Sequence, residues 1–120
     1  MDNRILGYIR VSTKEQNIDR QVNELKKYVP LENMYIDKAS GKDFNRPQYV
    51  ELKRAIRQGD TLYVKSLDRL GRNKEQIKEE LQWFKYNHIL VRILDVPTTL
   101  MDFSQFGGMQ QAIFDMVNNI

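Results

Sequence analysis

The 120-residue sequence has no cysteine and one histidine, His88. The first absence removes disulfides, thiolate nucleophiles and zinc–thiolate sites together. The second leaves any Ser-His-Asp triad a single histidine to draw on. No apolar run approaches the roughly 20 residues of a membrane span. The early apolar stretch is short, carries Arg10 and lacks a small-residue cleavage site, so no secretory signal is expected and the cytoplasm is the default location. Neither phosphate cradle, G-x-x-x-x-G-K-[ST] or G-x-G-x-x-G, occurs. No H-x-x-x-H, D-x-D or carboxylate cluster points to a metal. No metal, nucleotide or other cofactor is therefore expected.

What is present is an ordinary globular balance, 41% hydrophobic and 29% charged, of a length that suits one core. The net charge of +3 permits a nucleic-acid partner without demanding one.

Ile5–Val11 reads as a strand buried on both faces, as in a parallel sheet. Ile18, Val22, Leu25 and Val29 then recur as a helix stripe that Pro30 stops. Met34–Ile36 is a short second strand. Asp37 to Pro47, DKASGKDFNRP, reads as a polar surface loop. Pro47 fits the first turn of a second helix, with Tyr49, Leu52 and Ile56 inward and Gly59 as its cap. Thr61–Lys65 is a third strand, SLDRLGRN a loop or short helical turn, Lys74–Asn87 a third helix with Ile77, Leu81 and Phe84 inward, and Ile89–Val96 a fourth strand. The alternation argues for a three-layer α/β domain over 1–108, with a mainly parallel sheet of four or five strands. Over 109–120, Met109, Ala112, Ile113, Met116, Val117 and Ile120 form a broad apolar stripe without a stop signal. It is expected to begin a longer helix, with Met109, Ile113, Met116, Val117 and Ile120 at a subunit interface.

Ligands of open parallel α/β sheets bind beyond the carboxyl ends of the strands. That edge receives Arg10 and Ser12 from the first strand. It receives Asp37 and Arg46 from the second strand and its loop, and Asp68, Arg69 and Arg72 from the third. So many guanidiniums around one hydroxyl suit a phosphate group. A serine there can attack phosphorus while fixed cations stabilise the charge that develops. Asp68 is a candidate proton carrier, or an orienting partner for Arg10 or Arg69. Plainer roles fit the same residues. Ser12 and Glu15 match a capping box, and Arg10 has Asp37 and Asp68 as possible structural partners. A module that merely holds an anion also fits the edge.

YIRVSTKEQ, taken with GDTLYVKSLDRLGRN, resembles the N-terminal catalytic domain of the resolvase/invertase family of serine recombinases. DKASG and NRP lie between them in the family's order. The resemblance implies that Ser12 cleaves DNA through a 5′-phosphoserine link by reversible transesterification, without ATP or metal. It implies catalytic roles for Arg10, Arg46, Arg69 and Arg72, with Gln21, Asp37 and Asp68 in the same site. Arg10, Arg46, Lys65, Arg69 and Arg72 would then contact DNA phosphates. The implied partners are double-stranded DNA at a specific recombination site and further copies of the chain, a dimer that becomes a tetramer when sites are brought together. A cytoplasmic protein encoded by a bacterial chromosome, plasmid, phage or transposon is implied. The family's Glu-Arg motif and helix-turn-helix domain do not occur before Ile120, so sequence-specific readout is expected to need a further module.

Overall fold

The computed structural model describes residues 3–11, 18–38 and 46–96. Their elements alternate as the sequence pattern requires. Strand β1 spans Ile5–Val11, helix α1 Ile18–Leu25, strand β2 Met34–Lys38, helix α2 Pro47–Ala55, strand β3 Thr61–Val64, helix α3 Lys74–Tyr86 and strand β4 Leu90–Ile93. Single 3-10 turns at Leu31–Asn33 and Leu67–Arg69 precede β2 and follow β3. The sheet order is β2-β1-β3-β4, and every pairing is parallel.

The alternation of side chains along the strands divides the core into two. Leu6 and Tyr8 of β1 join Leu62, Val64, Val91 and Ile93 against Tyr49 and Leu52 of α2 and Ile77, Leu81 and Phe84 of α3. Ile9 and Val11 face the other way, onto Leu25 of α1. A β1 buried on both sides explains why its sequence is almost continuously apolar.

Several boundaries differ from the sequence expectation: α1 ends at Leu25, short of Val29, and β3 and α3 each end one residue early, at Val64 and Tyr86. Helix α2 ends at Ala55, not near Gly59, because Ile56 turns into extended backbone and buries its side chain. Gly59 serves the turn into β3 instead, at φ 91°, a left-handed conformation that costs glycine least. Strand β2 runs on through Asp37, which is buried in the strand and not in a surface loop. Strand β4 stops at Ile93, earlier than Val96. The stripe at Met109, Ile113, Met116, Val117 and Ile120 lies outside the described residues.

Two local devices are testable. Asp60 is buried before β3 and accepts hydrogen bonds from the Arg4 and Arg57 backbone N–H groups at 3.0 and 2.9 Å, and from Arg4 Nη2 at 3.0 Å. Burial alone would raise its pKa, but these donors outweigh burial and hold it below the ordinary value of 3.8. A depressed carboxylate stabilises the fold above its unfolded pKa and loses that contribution as pH falls through its folded pKa. Asp60→Asn is expected to cost about 2 kcal/mol at neutral pH by weakening charged hydrogen bonds. The cost should shrink in acid below the ordinary aspartate range; urea unfolding at two pH values measures both, and a pH-independent cost would refute the assignment.

His88 closes α3 at φ 59°. A non-glycine residue in that region carries a steric cost, and glycine is the usual occupant after a helix. His88→Gly is expected to stabilise the domain by about 0.5–1 kcal/mol after allowing for glycine's greater unfolded entropy. A urea midpoint that falls would count against it.

Candidate active site

The site is built on the turn that follows β3. Arg10, near the end of β1, donates from Nη2 to the Asp68 carbonyl at 3.1 Å. Arg46, just before α2, donates from Nη1 to the Arg69 carbonyl at 3.0 Å. Two arginines from separate segments thus take successive carbonyls of the Leu67–Arg69 turn. Both of these acceptors are backbone carbonyls, which help to orient each guanidinium. Arg69 projects from the same turn. Its Nη1 pairs with Asp68 Oδ1 at 3.2 Å, and its Nε is buried with no hydrogen-bond partner among the described residues. Burial lowers the pKa of Arg10, and the neighbouring Arg69 charge lowers it further. The fold thus sets two like charges near each other beside the Asp68 carboxylate.

Asp37 works differently from the arginines. It lies opposite Arg10 in the β1–β2 register and is 3% exposed. Its Oδ2 accepts from the Tyr8 hydroxyl at 2.8 Å and the Tyr49 N–H at 3.0 Å; its Oδ1 accepts from the Gln48 N–H at 2.9 Å. Gln48 and Tyr49 stand in the first turn of α2, whose N–H groups have no partner within the helix. Asp37 thus caps α2 from another element, a contribution of about 0.5–2 kcal/mol, with its charge favourably placed at the helix start. Arg46 occupies the capping position and makes no side-chain cap. Because β2 supplies the cap, the position before Pro47 can carry a guanidinium.

Tyr8 was not singled out from sequence. The signal was a hydroxyl-bearing ring in a strand otherwise lined with aliphatics. Burial raises its pKa well above the ordinary range, and the hydrogen bond to Asp37 raises it more, so Tyr8 is a donor at neutral pH. Ser66 was missed too: its hydroxyl donates to Asp68 Oδ1 and joins Arg69 in orienting that carboxylate.

The remaining expected site residues divide. Gln21 on α1 is 8% exposed, and its Oε1 has no hydrogen-bond partner among the described residues. Arg72 is exposed just ahead of α3; its backbone N–H donates to Gln76 Oε1 at 2.9 Å. Gly71, between the turn and Arg72, fits because a Cβ there would come within 2.9 Å of the Ile77 backbone nitrogen. Lys65, an expected phosphate contact, has carboxylate partners in this structure. It pairs with Glu24 Oε2 at 2.7 Å and Asp95 Oδ1 at 3.0 Å, tying α1 and the end of β4 to β3, and these bonds raise its pKa. Ser12 follows Val11, the last residue of β1, and lies outside the described residues.

Among the described residues no group of three or more His, Asp or Glu side chains could hold a metal ion, and no helix is long and apolar enough to cross a membrane. What the described residues bring together is Arg10, Arg46, Asp68 and Arg69 at the carboxyl edge of the parallel sheet, with Asp37 capping the helix that follows Arg46.

Comparison with known proteins agrees with this architecture. The Tn501 resolvase of Pseudomonas aeruginosa is 36% identical over 94 residues, covering 78% of this chain and 48% of the relative. The Tn21 resolvase of Escherichia coli is 44% identical over 82 residues, covering 68% and 42%. The Tn3 resolvase of Escherichia coli is 38% identical over 93 residues, covering 77% and 50%. The chain spans about half the length of these curated relatives. The family model described as the resolvase N-terminal domain matches residues 5–120. The chain belongs to the resolvase N-terminal domain family.

Proposed function

We propose that this domain is the catalytic part of a site-specific DNA recombinase and that Ser12 is its nucleophile. The observation that carries the reading is the meeting of Arg10, Arg46 and Arg69 on one turn at the carboxyl edge of the sheet, where β1 ends at Val11, the residue before Ser12 in sequence. Relatives named as resolvases support the same reading.

In this reaction the Ser12 hydroxyl oxygen bonds to a DNA phosphorus and loses its proton. The P–O bond to the 3′ oxygen breaks, and that oxygen takes up a proton. The products are a 5′-phosphoserine and a free 3′-hydroxyl. The phosphodiester energy is kept in the new link, so a 3′-hydroxyl from another strand reverses the step and completes an exchange. Negative charge spreads over the non-bridging oxygens in the transition state, where preset guanidiniums stabilise it without reorganising. Arg10, Arg46 and Arg69 supply that charge, and Arg72 contacts a flanking phosphate. Asp68 orients Arg69 and is a candidate to carry the serine proton. Asp37 acts on α2 and not on phosphate. Gln21 fixes the α1 side of the site. The 109–120 stripe joins copies of the chain into the dimer and tetramer that paired cleavage needs.

The polarity of the cut ends tests the chemistry. With a duplex nicked near the cleavage position, the chain or its full-length parent should leave 3′ ends that a polymerase extends and 5′ ends that a kinase cannot label, even after phosphatase, until protease and phosphodiesterase have freed the 5′-phosphate and phosphatase has removed it. Cut ends with 3′-phosphates, or 5′ ends open to labelling, would rule out the proposed attack.

A further inference from the structure

Helix α1 is fastened to β3 by its far end. Glu24 Oε2 meets Lys65 Nζ at 2.7 Å, and Glu24 Oε1 meets Arg20 Nε, one helical turn earlier, at 3.5 Å. Lys65 is itself held twice by Asp95. Its carbonyl accepts from the Asp95 backbone N–H at 3.0 Å, and its Nζ pairs with Asp95 Oδ1 at 3.0 Å. Two further contacts reinforce the joint. The Tyr28 ring, just past α1, stacks on Tyr63 of β3 with centroids 5.0 Å apart. Leu25 lies so close to Gly7 of β1 that a Cβ there would stand 3.0 Å from Leu25 Cδ2.

Ion pairs between part-exposed side chains usually add little to stability, and Glu24 and Lys65 are 29% and 31% exposed. What matters here is where the pair leads. Lys65 directly precedes Ser66 and the Leu67–Arg69 turn, on which Arg10 and Arg46 converge. Glu24 stands on the helix that carries Gln21 and that follows residues 12–17, the stretch that begins with Ser12. We infer that Glu24 is a positioning residue for the reaction proposed above, on which this inference rests: through Lys65 it sets helix α1, and with it the Ser12 side of the site, against the arginine-bearing turn. Such a residue acts by distance and angle, and a misplacement of about 1 Å can cost about 10²-fold in rate.

Glu24→Gln separates this role from a phosphate-contacting role of Lys65. Removing the carboxylate releases Lys65 and makes the edge more positive, so DNA affinity should hold or rise. Cleavage by the chain or its full-length parent, measured in single turnover at saturating DNA, should nonetheless fall about tenfold. Glu51→Gln removes the same charge from the exposed Arg54 pair on α2 and should change the rate less than about twofold. In a Lys65→Met background, Glu24→Gln should also have less than about a twofold effect, since the tie is already cut. Urea midpoints of the same preparations establish that each variant is folded during the assay. A second readout does not need cleavage. The mutual ring-current shifts of Tyr28 and Tyr63 should shrink in Glu24→Gln, while those of the Tyr8–Tyr49 pair, 4.9 Å apart on the other face of the sheet, stay unchanged. Unchanged Tyr28 and Tyr63 resonances, equal losses with and without Lys65, or an equal loss in Glu51→Gln would overturn the inference. If the unsubstituted protein cuts no DNA, the recombinase reading falls and takes this inference with it. If it cuts and Glu24→Gln cuts as fast, the inference alone falls.

Discussion

Replacing Ser12 with alanine is expected to reduce DNA cleavage to background while leaving DNA affinity within about twofold. The hydroxyl is the atom that becomes bonded to phosphorus, so no neighbour replaces it. Affinity comes from cations, each neutralised phosphate contributing about 0.9 to the salt slope, and Ser12 carries no charge. Removing a nucleophile from a site whose residues act as a unit commonly costs as much as removing the whole unit. Ser12 and Glu15 also match a capping box, and that role predicts a different result. A lost cap costs about 1 kcal/mol of stability, with cleavage retained by the folded fraction. Gel-based cleavage and a urea melt of the same Ser12→Ala protein separate the two. Full cleavage by a destabilised variant would end the nucleophile assignment.

The second large effect concerns Arg10 and Arg69. Each alanine substitution should slow cleavage by about 10²–10³-fold, the loss found when one preset donor to a developing charge is removed. Binding should weaken far less, because one phosphate contact among several is lost. The pair carries a further signature. Burial lowers the pKa of Arg10 and the neighbouring Arg69 charge lowers it further, so the folded state holds this charge at a cost. Arg10→Ala should therefore leave the unfolding midpoint unchanged or raised while activity collapses, the pattern of a site that gives up stability for function. Single-turnover cleavage rates and urea midpoints on the same preparations measure both. A fall in stability matched to the fall in rate would mean that Arg10 only holds the fold together.

Most of the fold was legible because its signals are local. The continuous apolar run Ile5–Val11, the stripe Ile77, Leu81 and Phe84, and Pro47 at the first turn of α2 each follow from spacing within one element. The arginines of the site were legible for a related reason: parallel sheets gather the residues that follow their strands at one edge. What sequence could not give were contacts between elements. Asp37 is followed by KASGKD, a polar run that suggests a loop. Only the register against Arg10, and the N–H groups of Gln48 and Tyr49, show that it lies in a strand and caps a helix. Lys65 sits in a basic motif that suggests a phosphate role; its pairing with Glu24 and Asp95, far from it in sequence, was not legible there. Nor did helix periodicity mark where α2 stops, since Ile56 keeps the apolar spacing while its backbone has already left the helix.

The central claim is that DNA becomes bonded to Ser12. It is tested most directly by trapping the chain or its full-length parent on a nicked duplex, denaturing the mixture, digesting the DNA and the protein, and locating the residual nucleotide by mass spectrometry. Cleavage after Arg10 and Lys14 isolates Val11–Lys14, VSTK, and fragmentation distinguishes Ser12 from Thr13. The account predicts a nucleotide 5′-phosphate on Ser12. A denaturant-resistant adduct mapped to any other residue, or no adduct under conditions where the DNA is cut, would contradict it.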